Sequence, residues 1–148
     1  MPDEHQLAAL VAEALGARDA AARLLGITLD EIGPGTARMS MPVRDDMLNG
    51  HSVCHGGFIF TLADTAFAYA CNSRNRSTLA AAAEIAFLSP GRPGEVLIAV
   101  ARERAAAGRT GIYDVDVTER DSGRQVALFR GRSQQVQGEV MAPKGAAP

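Results

Sequence analysis

The sequence predicts an α+β domain in which a curved antiparallel sheet wraps one long central helix. Three observations carry that expectation. Residues 58–71 are apolar around nearly the whole circumference of a helical wheel, and a helix of that kind has to be buried. Four long strand-like segments follow it in succession, at 78–87, 95–104, 111–120 and 124–136. A shorter alternating pair precedes it, at 27–32 and 36–43.

The elements follow in order. Leu7, Leu10, Val11, Ala14 and Leu15, then Ala21, Leu24 and Leu25, recur at helical spacing with Gly16 as a break, so residues 1–26 read as an N-terminal helical segment. Gly33-Pro34-Gly35 is turn chemistry, and Ala37, Met39, Met41 and Val43 alternate after it. Together these make a hairpin with one buried face. Residues 44–55 lack periodicity and form a loop, after which Gly56-Gly57 opens the apolar helix. Tyr113, Val115 and Val117 alternate with Asp114, Asp116 and Thr118, and Asp121-Ser122-Gly123 supplies a hairpin turn. The sheet domain is expected at 27–137, and the Gly-, Ala- and Pro-rich tail at 138–148 is expected to be disordered. One sheet over one helix leaves edges uncovered, so the chain is expected to oligomerise.

Composition removes several function classes. The 148 residues carry a net charge of -2, which offers no global attraction for nucleic acid or an anionic membrane. No apolar run is long enough for a membrane helix, which needs about 18 residues; the longest, 57–71, is interrupted by Asp64. The N-terminus is acidic where a secretory signal is basic, which points to the cytoplasm. Cys54 and Cys71 flank the helix and stand roughly 20 Å apart at its rise per residue, too far for a disulfide. Dinucleotide, phosphate-loop and nucleophile-elbow motifs are absent.

The chemistry concentrates between Met47 and Asp64. Gly56 and Gly57 stand where the helix begins, so their N–H groups lack helical acceptors and lie at the positive end of the macrodipole. Lacking a β-carbon, glycine lets a polarised carbonyl approach as an oxyanion hole requires; the plainer reading is a tight turn. Asp64 falls two turns into an apolar helix, where a carboxylate is costly. It either meets a partner at an interface or waits in a cleft as base or nucleophile. Asn49, before Gly50, is by default a turn residue but can orient a water. His51, Cys54, His55 and Asp64 invite a metal reading. Adjacent Cys54 and His55 do not readily chelate one ion, and no second pair follows, so no metal is expected.

Asn49, then His55-Gly56-Gly57, then Leu62 and Asp64 resemble the Asn-x5-His-Gly-Gly-x4-Leu-x-Asp motif of hotdog-fold acyl-CoA thioesterases. The segment 47–72, with 87–91, 110–114 and 127–131, is similar to the members acting in phenylacetic acid degradation. The resemblance covers residues 25–136 and implies a hotdog fold, assembled as dimers or as tetramers made of two dimers, with active sites between subunits. It implies that the Gly56 N–H polarises a thioester carbonyl, that Asp64 acts as nucleophile or general base, that Asn49 positions water, and that His55 shapes the helix entry and assists catalysis at the thioester through its imidazole. Coenzyme A contacts are implied at Gly57, at Phe87, Ser89, Pro90, Gly91 and Arg92, and at Gly108, Arg109, Thr110 and Gly111, with Arg109 as the phosphate ligand. Where some members carry a Ser or Thr that anchors the water, this chain reads Leu79-Ala-Ala-Ala-Ala83, leaving Ser77 or Thr78 as substitutes. The expected function is hydrolysis of an aryl-acyl-CoA of the phenylacetyl or hydroxyphenylacetyl type, with no cofactor beyond the coenzyme A of the substrate. The alternative is a non-catalytic acyl-CoA sensor on the same fold.

Overall fold

The computed structural model describes residues 1–141. Helix α1 (Glu4–Gly16) begins at Asp3, whose carboxylate accepts from the Gln6 N–H at 2.8 Å while the Gln6 side chain accepts from the Asp3 N–H at 2.9 Å. The reciprocal pair satisfies two donors that a helix start leaves open. Asp19 caps α2 (Ala20–Leu25), and Gly26, at φ 67°, ends it in the left-handed region that glycine enters without strain. Next come β1 (Thr28–Gly33), β2 (Thr36–Pro42), a short 3-10 turn (Asp45–Met47) and the central helix α3 (Gly56–Asn72). The last four strands are β3 (Arg76–Phe87), β4 (Val96–Ala107), β5 (Thr110–Glu119) and β6 (Gln125–Glu139).

The strands form one antiparallel sheet in the order β1-β2-β4-β5-β6-β3. The first strand after α3 therefore lies at the far edge, paired only with the last. A single cross-strand row, Met39, Ala99, Val117, Ala127 and Phe87, shows the register of the face that receives α3. Against it α3 buries Leu62, Ala63, Ala66, Phe67 and Ala70, each large side chain contributing about 1.5–3 kcal/mol of hydrophobic stabilisation. Phe67 is seated by Gly131, where a β-carbon would fall 2.7 Å from its ring. Its neighbours Tyr113 and Phe129 are at centroid distances of 5.6 and 5.8 Å.

The sheet does not enclose α3 completely. Phe60, Thr61, Asp64, Ala68 and Cys71 remain half-buried, on a flank toward β3. Edge strand β3 is exposed over most of its length; Leu79 is 61% and Phe87 52% accessible, with Leu88 beyond it at 55%. A bulge interrupts its pairing at 80–82. One boundary differs from the sequence expectation. Strand β6 continues through Gly138 to Glu139, paired with Arg76, and Met141 N–H donates to Asn75 Oδ1 at 2.8 Å, so the expected tail is ordered as far as it is described. The remainder of that tail, 142–148, lies outside the described residues. No helix among the described residues is long and apolar enough to cross a membrane.

Candidate active site

The start of α3 separates its two glycines. His55 is the N-cap, and its Nδ1 accepts the Gly57 N–H at 2.9 Å. In this hydrogen bond Nδ1 is the acceptor, which leaves Nε2 as the ring's donor. The Gly57 donor is thereby used, contrary to the expectation that both glycines stay unpaired. The Gly56 N–H has no acceptor among the described residues. It is the one donor of the pair available to an incoming oxygen, at the positive end of a helix of 17 residues.

The loop before α3 is organised by Asn49. Its Oδ1 accepts from the His51 N–H at 2.9 Å and the Val53 N–H at 3.4 Å, which identifies the oxygen and leaves the Nδ2 hydrogens uncommitted. Asn49 thus serves the turn and also lines a hollow with Gly56, Phe87, Ser89 and Pro90. Cys54, beneath it, is buried, and burial pushes its thiol up to about 11. A thiol so far from ionisation is no nucleophile at neutral pH. Cys71 is pushed up to about 12 for the same reason, and both cysteines are free.

Asp64 occupies a different cavity, of about 380 Å³, whose walls include Leu15, Phe67, Ala68, Cys71 and Leu79. No hydrogen-bond donor or cation within salt-bridge distance faces its carboxylate among the described residues, and burial pushes its pKa above the usual value. It is the half-buried, uncompensated carboxylate that a general base or nucleophile requires. Ser77 and Thr78 line the same cavity. The Thr78 hydroxyl donates to Arg76 O at 2.8 Å, whereas the Ser77 hydroxyl has no partner among the described residues.

Gly56 and Asp64 are eight residues apart on one helix, or about 12 Å along its axis. An oxyanion donor and a base acting on one carbonyl must both lie within about 3 Å of the reacting atoms. One chain therefore does not bring this donor and this carboxylate to a single reacting carbonyl.

The segments expected to hold coenzyme A are likewise separated. Phe87 pairs with Ala127 while Thr110 pairs with Gln134, toward opposite ends of β6. Near the first end, Ser89 Oγ donates to Gln125 O at 2.7 Å, and Gly91 is buried where a β-carbon would fall 3.1 Å from Leu97 and 3.2 Å from Cys54. Arg124 clamps this segment, donating to Ser89 Oγ, to Pro90 O and to both carboxylate oxygens of Glu95 at 2.7 and 3.0 Å. The Arg92 N–H donates to Glu95 Oε1 at 2.7 Å, while its guanidinium has no partner among the described residues. At the other end, Gly108 turns the chain at φ 59°, and Gly111 is packed against Ser133 and Tyr113. There Arg109 shares one hollow with Arg74 and Arg76. The sequence reading did not single out Arg124, Arg74 or Arg76, because nothing local to them marks what they approach in space.

The comparisons with known proteins agree with this architecture. The profile of the thioesterase superfamily matches residues 51–126. Over 129 residues, covering 87% of this chain and 91% of the relative, the chain is 45% identical to the acyl-coenzyme A thioesterase PaaI of Escherichia coli. The E. coli PaaI structure superposes with a TM-score of 0.90 at 43% identity, covering 93% of this chain and 99% of that one. A mutant of the phenylacetic acid degradation protein PaaI from Thermus thermophilus superposes at a TM-score of 0.76 with 35% identity, over 80% of this chain and 100% of that one. A long helix packed on a six-stranded antiparallel sheet is the hotdog fold, and the chain belongs to the thioesterase superfamily.

Proposed function

We propose that the protein hydrolyses acyl-CoA thioesters of the phenylacetyl or hydroxyphenylacetyl type to the free acid and coenzyme A, at sites shared between two copies of the chain. The observation that carries this reading is the pairing of an unused Gly56 N–H with an uncompensated Asp64 carboxylate too far along the same helix to act with it. An antiparallel junction of two β3 edges supplies the missing half, setting the Gly56 end of one copy against the Asp64 flank of the other. The exposed Leu79, Phe87 and alanine run of β3 support that junction, since an unpaired apolar edge favours pairing. Dimers, or tetramers built from two of them, follow.

In this reading the thioester oxygen accepts from the Gly56 N–H, and Asn49 Nδ2 steadies the water or the carbonyl. Asp64 of the second copy takes a proton as water adds to the carbonyl carbon, or itself adds to that carbon. The charge that forms on oxygen is held by the helix start, and its collapse breaks the C–S bond and releases coenzyme A as thiolate, which takes up a proton; where Asp64 itself has added, water then cleaves the acyl–Asp64 anhydride, freeing the acid and restoring the carboxylate. Ser77 is the available hydroxyl for a second hold on the water. Arg109, with Arg76, offers guanidinium groups to the phosphates, beside Arg74, which Glu103 holds at 2.7 Å, while the segment from Phe87 to Arg92 borders the pantetheine path beside Gly57. The reaction needs no metal or cofactor other than the coenzyme A that the substrate brings. Two free cysteines suit a reducing cytoplasm.

The test is thiol release from phenylacetyl-CoA, its ring-hydroxylated forms and aliphatic acyl-CoAs. Asp64→Asn is expected to abolish release while acyl-CoA still binds. Mixing Asp64→Asn with Gly56→Pro subunits is expected to restore activity, because each mixed dimer regains one site with both native groups. Absence of restoration in verified mixed dimers overturns the shared site, and bound but unhydrolysed acyl-CoA in the native protein identifies a sensor instead.

A further inference from the structure

The cavity that contains Asp64 is partly built by the N-terminal helical segment, which lies outside the region matched by the superfamily profile. Leu15 and Arg18 reach its rim from the end of α1 and the residues just after it. Arg18 is the one cation lining the cavity among the described residues. Its Nε donates to Ala14 O and its Nη2 to Val140 O, both at 3.3 Å, so two backbone carbonyls from different elements hold the guanidinium. A guanidinium carries five N–H groups; three of them remain uncommitted. No carboxylate lies within salt-bridge distance of Arg18 among the described residues. Glu139, the other charged rim side chain, accepts from Asn75 Nδ2 at 3.2 Å. Arg18 is also absent from the influences on Asp64, whose pKa shift comes from burial. Arg18 and Asp64 thus line one cavity without neutralising each other, and the apolar part of its lining includes Leu15, Phe67, Ala68 and Leu79.

Resting on the reading of Asp64 as the base or nucleophile of a thioesterase, we propose that its cavity takes the acyl group and that Arg18 binds an oxygen acceptor at the far end of that group, which makes it a specificity residue for oxygen-bearing aryl-acyl thioesters. The reacting carbonyl lies at the Asp64 end and the apolar walls take the ring. The uncommitted N–H groups then meet a phenolic or carboxylate oxygen, and their prior anchoring to Ala14 and Val140 lowers the ordering cost of that contact. A plain phenyl ring leaves those donors to water and draws nothing from them.

The experiment compares kcat/KM of the full chain for phenylacetyl-CoA, 4-hydroxyphenylacetyl-CoA and a 4-carboxyphenylacetyl-CoA. The native protein is expected to prefer an oxygen-bearing thioester by about tenfold, as a charge-assisted hydrogen bond implies, and Arg18→Met is expected to remove most of that ratio. The better substrate of the two tells a neutral acceptor from an anionic one. A native protein that hydrolyses all three without preference, or an Arg18→Met variant with an unchanged ratio, overturns the assignment and leaves the thioesterase reading standing. A native protein that hydrolyses none overturns both. If Arg18→Met does not fold, Arg18→Gln carries the same comparison, and an unchanged ratio in that variant overturns the assignment.

Discussion

The ring of Phe87 lies over the Cα of Gly56 so closely that a β-carbon there would stand 3.0 Å from its Cζ and 3.3 Å from its Cε1. Glycine at position 56 thus answers two demands, an open donor and a bare Cα under the edge-strand phenylalanine. Gly56→Ala keeps the N–H but moves the ring, and is expected to lower kcat/KM about tenfold to a hundredfold, as small displacements in an active site do. Adding Phe87→Ala is expected to recover part of the loss. Gly56→Pro removes the donor at a helix position that tolerates proline, and is expected to cost roughly a further hundredfold or more. Equal rates in the alanine and proline variants, measured by steady-state hydrolysis, mean that the Gly56 N–H is not the oxyanion donor.

Asp64 is held above the ordinary carboxylate pKa by burial. Its folded state binds the proton more tightly than its unfolded state does. The stability it confers is therefore full at low pH and lost as pH rises through the raised folded value. Activity runs the other way, because only the carboxylate form serves as base. The acid limb of kcat/KM is expected above the usual aspartate value of about 3.9. Asp64→Asn is expected to melt higher than the native chain at neutral pH while hydrolysing nothing. Thermal melts from pH 4 to 8 alongside rates test the pair, and an unchanged or lower melting temperature at neutral pH removes the strained-carboxylate account.

His55 serves α3 as an accepting cap through Nδ1. His55→Ala is expected to cost about 1 kcal/mol in urea unfolding, and His55→Asn or His55→Asp to recover most of it, since their side-chain oxygens accept at the same place. If the alanine and asparagine variants unfold alike, the cap contributes nothing measurable.

Arg124 holds the turn after β3 by joining Ser89, Pro90 and Glu95. The guanidinium keeps the Glu95 carboxyl below its usual pKa, so this contribution is present above the unfolded Glu value and is lost as pH falls through the lowered folded one. Arg124→Met is expected to raise KM for acyl-CoA several-fold more than it lowers kcat, because the segment bordering Gly56 loosens while donor and base remain. A fall in kcat with KM unchanged contradicts that assignment.

Much of the fold was legible because each element advertises its burial locally. The all-round apolar helix, the alternation of Tyr113, Val115 and Val117, and the turn at Asp121-Ser122-Gly123 require a sheet around a helix, and the structure contains one. The end of β6 was misjudged because its last residues are polar and glycine-bearing; Asn75 and Arg76 of the preceding turn and strand order them, which no local pattern reveals.

The sequence by itself determined the residue types of the site. Glycine at a helix start and aspartate in an apolar helix are costly or unusual choices whose chemistry shows from spacing alone. Only the tertiary structure decided which donor is open, since the Gly57 N–H is taken by His55 and the Gly56 N–H is not. It also decided that Gly56 and Asp64 belong to separate cavities, and that Arg18, Arg74, Arg76 and Arg124 stand beside the expected site residues. The physical reason is common to all of these. Hydrogen bonding and charge act over a few ångströms in space, and the sheet order that sends β3 to the far edge sets those distances, not the spacing along the chain.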